Sequence, residues 1–366
     1  LKAKRFLTAS VVPLMFLVLS LVAIPVSGMS ARYIFSEVSA RMARNCFFVL
    51  SLIIPIMAGM GINFGMVLGA MAGQIGLVFA TSWELEGVKG ILASAVVGTP
   101  IAILLGAFGG QVLNRARGRE MITSMMLGLF VSGIYQFFLL YVCGTIIPFN
   151  EESGVLLSRG YGIRNSLMLP MAKGIDNILT VAIGGVKLPI ATFLVTLCLC
   201  LLTYWFRNTK MGQEIRSVGQ DADISEIAGI DVSKRRVQSI IISTVLACYG
   251  QILYLQNIGT LNTYNGADQA ALFAAAALLV GGATVSKAGV VNGIFGTGLF
   301  HLLFVLMPIA GKNLTGNAVV GEYLRMFTSY GVVSVSLVVH AWKRQKDREM
   351  DRELLKRKIQ DPAKDE

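Results

Sequence analysis

The sequence predicts an all-α polytopic membrane protein with about ten transmembrane segments, and three observations predict it. The composition suits a bilayer: mean hydropathy is +0.66, 54% of residues are hydrophobic and only 14% are charged, where soluble domains carry about 25% charge. Apolar runs near the roughly 20 residues demanded by a hydrocarbon core of about 30 Å recur along the chain. Basic residues are concentrated in segments between alternate runs, as the positive-inside rule leads one to expect. The runs are expected as helices, because lipid offers an open sheet edge no hydrogen-bond partner.

The first run, Leu7 to Ser27, follows Lys2, Lys4 and Arg5 and ends in small residues, as a signal peptide does. With Pro13 and Pro25 inside, it is longer than the roughly 7 to 15 apolar residues of a signal core, and we expect a retained helix. Cys46 to Ala80 is too long for one span and is broken near its middle by glycine and polar residues, so it counts as two. Val88 to Gly109, Met121 to Val142, Leu188 to Phe206 and Val237 to Ile258 are single spans. Ala270 to Ala310 is again long and glycine-broken and counts as two, and Met326 to Trp342 is the last. Residues 1–342 thus form a transmembrane domain, with a polar loop at 208–236, an outer loop at 145–187 and a charged cytoplasmic tail expected at 343–366.

Placing both termini in the cytoplasm puts 22 of the 32 Lys and Arg residues on that side. Arg32, Arg41 and Arg44 fall outside and are the exception. The net charge of +11 is explained by this bias and by anionic lipid heads; basic residues split among short loops exclude a nucleic-acid surface.

Enzymatic chemistry finds no support. The chain has no G-x-x-x-x-G-K-[ST] loop for phosphates, no H-E-x-x-H and no G-x-S-x-G. Cys46, Cys143, Cys198, Cys200 and Cys248 lie in or beside apolar spans without metal-ligand spacing and read as packing residues. Of two histidines, His301 lies within a span, where it is either a functional group or a neutral hydrogen-bonded neighbour. Glu84, Glu86, Asp268 and Glu322 fall at span ends, leaving no mid-membrane carboxylate for proton or sodium coupling, so an ion-coupled secondary transporter is the alternative reading.

The two glycine-broken regions are the candidate solute path, since interrupted helices expose backbone groups only to protein or to a cavity. Pro55 and the glycines from Gly59 to Gly76 break the first; Gly281, Gly282, Gly289 and Gly293 break the second. Gly61, Gly65, Gly69 and Gly73 equally suit small-x-x-x-small helix packing. Asn63, Phe64, Gln74, Asn292 and His301 are the candidate polar or ring contacts along the path, with Tyr264 and Phe273, beside Tyr254, as stacking surfaces near its outer end.

The polar loop carries a local fold. Asp221 caps a helix over Ala222 to Ala228, Asp223 sits in its first turn, and Gly229 ends it. Ile224, Ile227 and Ala228 share one greasy face at three- and four-residue spacing, with Glu226 beside them, and such a face is expected to dock on something.

At these residues the chain resembles a known family. Lys210-Met211-Gly212-Gln213-Glu214-Ile215-Arg216-Ser217-Val218-Gly219, then Ala228-Gly229-Ile230, Gly250-Gln251-Ile252 and Leu278-Leu279-Val280-Gly281-Gly282-Ala283 are similar to the permeases of bacterial ATP-binding-cassette (ABC) importers for simple sugars, nucleosides and related solutes, a group that includes ribose and branched-chain amino acid permeases. The N-R-x-x-G-x-E element at Asn114 to Glu120 extends the likeness over nearly the whole chain. The resemblance implies a type II importer fold, like that of vitamin B12 importers, in the bacterial inner membrane. It implies a second permease, identical or not, two ATPase subunits or one fused ATPase that bind the ATP and magnesium, and a periplasmic or lipid-anchored solute-binding protein. No cofactor is expected on this chain. Asp221 to Gly229 matches the family's coupling helix, although Asp221-Ala222 replaces its usual Asn-Pro. The outer loop from Thr145 to Lys187, with Glu151, Glu152, Arg159, Arg164 and Lys173, is the expected docking face for the binding protein.

Overall fold

A computed structural model describes residues 2–150, 153–183, 186–328, 330, 331, 334, 335, 338 and 342. Among them, seven helical stretches are long and apolar enough to cross a membrane: Ala31–Met57, Phe64–Ser82, Gly87–Arg115, Glu120–Val142, Ile190–Asn208, Val232–Ile258 and Val290–Thr315. The chain is a polytopic membrane protein. In order, its helices are α1 (Lys2–Ser27), α2 (Ala31–Ser51), α3 (Ile53–Met57), α4 (Val67–Ser82), α5 (Gly87–Arg115), α6 (Glu120–Phe137), α7 (Ile190–Asn208), α8 (Lys210–Gln220), α9 (Ala222–Ile227), α10 (Val232–Ile258), α11 (Ala270–Val280) and α12 (Val290–Thr315). Residues 318–328 are also helical. The charged tail lies outside the described residues, as does much of the last expected span.

Two details depart from the sequence expectation. The helix feeding the first broken region begins at Ala31, not near Cys46, because its polar residues find partners: Arg41 pairs with Glu37 at 3.4 Å and Arg44 donates to Asn257 Oδ1 at 2.9 Å. The fold is also not purely helical. β1 (Ser166–Met168) pairs antiparallel with β4 (Thr260–Asn262), and β2 (Thr180–Ile183) with β3 (Val186–Pro189). These ribbons supply backbone partners to loop segments that no helix satisfies.

Both glycine-rich regions break where expected, at residues 58–63 and 281–289. Gly59, Gly61 and Gly282 take φ of 73°, 72° and 80°, a left-handed backbone that glycine adopts freely. Beyond the first break, α4 is the most enclosed span and lies between α5 and α10. A Cβ on Gly69 would stand 2.1 Å from the Thr244 carbonyl oxygen of α10, and one on Gly76 would stand 2.2 Å from that of Ser94 in α5. The backbones therefore touch, and dispersion contacts replace the hydrophobic drive that lipid withholds.

The bundle has two distinct ends. At one, residues 57–61 meet Gly219, Met121 and Val285, and Glu120 pairs with Arg236. At the other, β1 pairs with β4, Gly174 packs on Gly87, and Asn313 Nδ2 donates to the carbonyls of Val26 and Ser27. The first will be called the loop-helix end and the second the ribbon end.

Candidate functional site

At the loop-helix end, local chemistry builds α9. Asp221 Oδ1 accepts from the backbone N–H groups of Asp223 and Ile224, each at 3.0 Å, which satisfies donors the first turn leaves open. Ala228 is the C-cap, and Gly229 follows at φ 81°, which only glycine reaches without cost. Ser225 is 1% exposed, and its hydroxyl lies 2.8 Å from that of Ser217 in α8. With that face pinned, Ile224 and Ile227 point away, 64% and 88% exposed, and Asp223, Glu226 and Ala228 are exposed beside them.

The helix is wired inward. Thr209 caps α8 through Gly212 N–H at 3.2 Å. At its far end, a Cβ on Gly219 would lie 2.0 Å from the Met57 carbonyl oxygen, so α8 rests on the backbone of the first glycine break. Arg235 pairs with Glu214 of α8, and Arg236 with Glu120 at the start of α6. Asn114 Nδ2 donates to Ser233 Oγ. The Asn114 to Glu120 element thus clamps the base of α10.

At the ribbon end, a cavity of about 390 Å³ opens among α2, α10, α11 and α12. Its wall includes Asn45, Phe48, Gln251, Tyr254, Phe273 and His301, together with Thr260 and Asn262 of β4 and with Asn265 and Gln269. Its volume suits a small-molecule site. A neighbouring cavity of about 270 Å³ shares Tyr254, Gln269 and Phe273 with it and adds Arg41, Phe304 and Arg325.

Of the residues expected on the path, Phe273 and His301 reach this wall, and five do not. Asn63 caps the turn after the first break, its Oδ1 accepting from Gly65 N–H at 3.0 Å. Phe64 gives its N–H to Ser124 Oγ at 3.2 Å and faces an apolar groove instead. Gln74 stands one layer behind the cavity, fully buried, where Tyr135 donates to its Oε1 at 2.8 Å. Asn292 Nδ2 donates to the Gly281 carbonyl at 2.7 Å and closes the second break. Tyr264 is half-buried and does not line this cavity. Its hydroxyl donates to the Ile163 carbonyl and fastens the outer loop, and desolvation raises its pKa above the ordinary tyrosine value, against Arg159, so it stays a neutral donor.

In the outer loop, Arg159 lies 4.3 Å from the Tyr161 ring centre, Arg164 Nε donates to the Leu156 carbonyl at 2.9 Å, and Lys173 is exposed at φ 54°. Glu151 and Glu152 lie outside the described residues, as does the Lys187 side chain.

Several residues escaped the sequence. Gln251, Asn45 and Gln269 are lone polar residues inside or beside apolar runs, which was the available signal, but nothing local says they converge. Asp176, buried in the outer loop, accepts from Thr192 Oγ1, from Gln256 Nε2 at 3.2 Å and from Asn257 Nδ2 at 2.6 Å. Asn257 in turn takes Arg44, so this guanidinium is tied to a carboxylate by one amide.

The chain thus has an exposed, capped apolar helix at one end, a polar cavity at the other and glycine-broken spans between. The profile of the family described as branched-chain amino acid transport system / permease component matches residues 34–337, and the chain belongs to that family. It is a permease component of an ABC transporter and not a catalyst. It is 22% identical over 274 residues to the nucleoside ABC transporter permease protein NupB of Lactococcus lactis subsp. cremoris, covering 73% of this chain and 69% of that protein. It is 27% identical over 183 residues to the probable ABC transporter permease protein YphD of Escherichia coli, covering 50% of this chain and 52% of that relative. No solved structure matches the chain.

Proposed function

We propose that this chain is half of the translocation path of an importer. Together with a second permease it passes a small polar solute, a sugar, nucleoside or related compound, handed over by a binding protein at the ribbon end. The loop-helix end faces the cytoplasm, where ATPase subunits bind ATP and magnesium and grip Asp221 to Gly229. In this reading α1, α11 and the helix from residue 318 complete ten spans of a type II importer fold, with both termini cytoplasmic. The NupB likeness favours the nucleoside within the solute class.

The exposed Ile224 and Ile227 on a helix fixed by Ser225 carry the proposal. A rigid apolar face in water costs free energy unless a partner covers it. Because Gly219 rests on Met57, closure of two ATPases on nucleotide would push α8 against the first glycine break and shift the population between two bundle arrangements. Purification of the chain from its native membrane tests it: an ABC ATPase should co-elute, and solute uptake into vesicles should require ATP. Uptake driven by an ion gradient with no ATPase present would establish the secondary transporter instead.

A further inference from the structure

A cavity of about 650 Å³ lies at the loop-helix end, where segments far apart in sequence meet. Its wall takes in residues 58–61 of the first glycine break, the turn at 117–122, the end of α8 at 218–220, Ala222 of α9, Arg236 of α10 and Val285 of the second break. Its charge is one-sided. Arg117, Arg119 and Arg236 line it against a single acid, Glu120, and Arg236 already pairs with that acid. Arg117 and Arg119 are exposed and join none of the ion pairs among the described residues. They flank Gly118, whose φ of 83° turns the chain between α5 and α6 and leaves both arginines on one cavity. Like charges so close repel, and an anion held between them offsets the penalty. The positive-inside bias asks only that arginines stand on one side of the bilayer; it does not ask them to line one cavity.

The donor set selects the anion. A guanidinium presents paired N–H groups in a planar fork, which matches the oxygens of a phosphate better than a single-atom ion. Gln220 adds an amide to the same wall, and amides donate to further oxygens. The cavity also runs on into an apolar groove of about 510 Å³, because Met121 and Ile122 line both. That groove follows α6 through Met125, Gly128 and Leu129. From Met121 to Leu129 the helix rises about 12 Å, most of one leaflet's half of the roughly 30 Å hydrocarbon core. A phosphate in this cavity therefore has two sources, the free ion and the head of an anionic lipid whose acyl chain follows α6.

We infer that this cavity binds a phosphate-class oxyanion and that Arg117 and Arg119 hold it. The site is separate from the exposed face of α9 and from the cavity at the ribbon end, so it depends neither on the ATPase nor on the identity of the solute.

The full-length chain in nanodiscs of phosphatidylcholine, without ATPase or binding protein, is titrated with inorganic phosphate and, at matched ionic strength, with sodium chloride, while thermal unfolding is followed. A parallel set of discs carries phosphatidylglycerol and no phosphate. A ligand that binds only the folded chain raises the midpoint, so phosphate, phosphatidylglycerol or both should raise it and chloride should not. A response to phosphate alone marks a free-ion site, and a response to both marks a site open to either source. A response to phosphatidylglycerol alone marks a lipid head. Gly128→Leu then reads the tail: a Cβ there meets nothing closer than 3.9 Å, so the longer side chain fills the groove, and loss of the lipid effect places the acyl chain along α6. Arg117→Gln and Arg119→Gln should each weaken the apparent affinity about tenfold, the consequence of losing one charge-assisted hydrogen bond. Both side chains are exposed, and the midpoint without ligand shows that the variants fold. No response beyond that to chloride from either probe, or an undiminished response in the double variant, would overturn the inference. ATPase co-elution is read in a different experiment, so failure of the coupling reading and failure of this site are told apart.

Discussion

Gly219 allows no side chain, because a Cβ there would sit 2.0 Å from the backbone oxygen of Met57 and 2.8 Å from the nitrogen of Gly59. Gly219→Ala must therefore move α8 off the glycine break, at about 1–3 kcal/mol for overpacking. Thermal unfolding of the purified chain should show a lower midpoint. The cap of α9 acts more locally. Asp221→Ala gives up two backbone partners, worth about 1 kcal/mol, and should speed hydrogen exchange over residues 222–228 while leaving the unfolding midpoint unchanged. Asp221 and Gly229 were legible because capping and termination are decided within a few residues. The role of Gly219 was not, since its partner is 162 positions earlier in the chain and sequence spacing says nothing about that approach.

Between elements, charge does the fastening. The Arg236 and Glu120 side chains are 9% and 13% exposed, so removing one partner strands a buried charge. Glu120→Gln alone should cost about 3–5 kcal/mol in unfolding assays, whereas Glu120→Leu together with Arg236→Met should recover most of it. A double variant as unstable as the single would refute this account. The apolar face of α9 behaves differently, because Ile224 and Ile227 are largely exposed. Ile227→Glu should leave expression and unfolding unchanged and abolish co-purification with the ATPase; retained binding would rule out that face as the contact. The helices and both breaks were readable because apolar run length and glycine placement are local. The two ribbons were not, since strands of three or four residues carry too little pattern and exist only through their pairing.

Across the molecule, sidedness is the open physical quantity. Residues that meet at each end by contact fall on the same side in the charge-counted topology, and Arg41 and Arg44, the external exceptions, have partners in Glu37 and Asn257 that local counting could not supply. With the exposed Cys198 replaced by serine, cysteines introduced by Ile227→Cys and Met168→Cys should label with a membrane-impermeant maleimide from opposite faces, Met168 from outside intact cells. Labelling of both from one face would invert or break the topology. Sites 84% and 88% exposed make the measurement direct.

The sequence by itself determined the bilayer, the helices, the two glycine interruptions and the capped α9 with its greasy face, because each follows from composition or from neighbours within a turn or two. Only the tertiary structure decided which polar residues meet. It set Asn63, Gln74, Asn292 and Tyr264 to holding backbone and side chains in place, and it brought Gln251 from α10 and His301 from α12 to one cavity. The reason is geometric. A hydrogen bond is satisfied within about 3 Å, and a helix bundle folds residues far apart in sequence to that distance in ways no local pattern records.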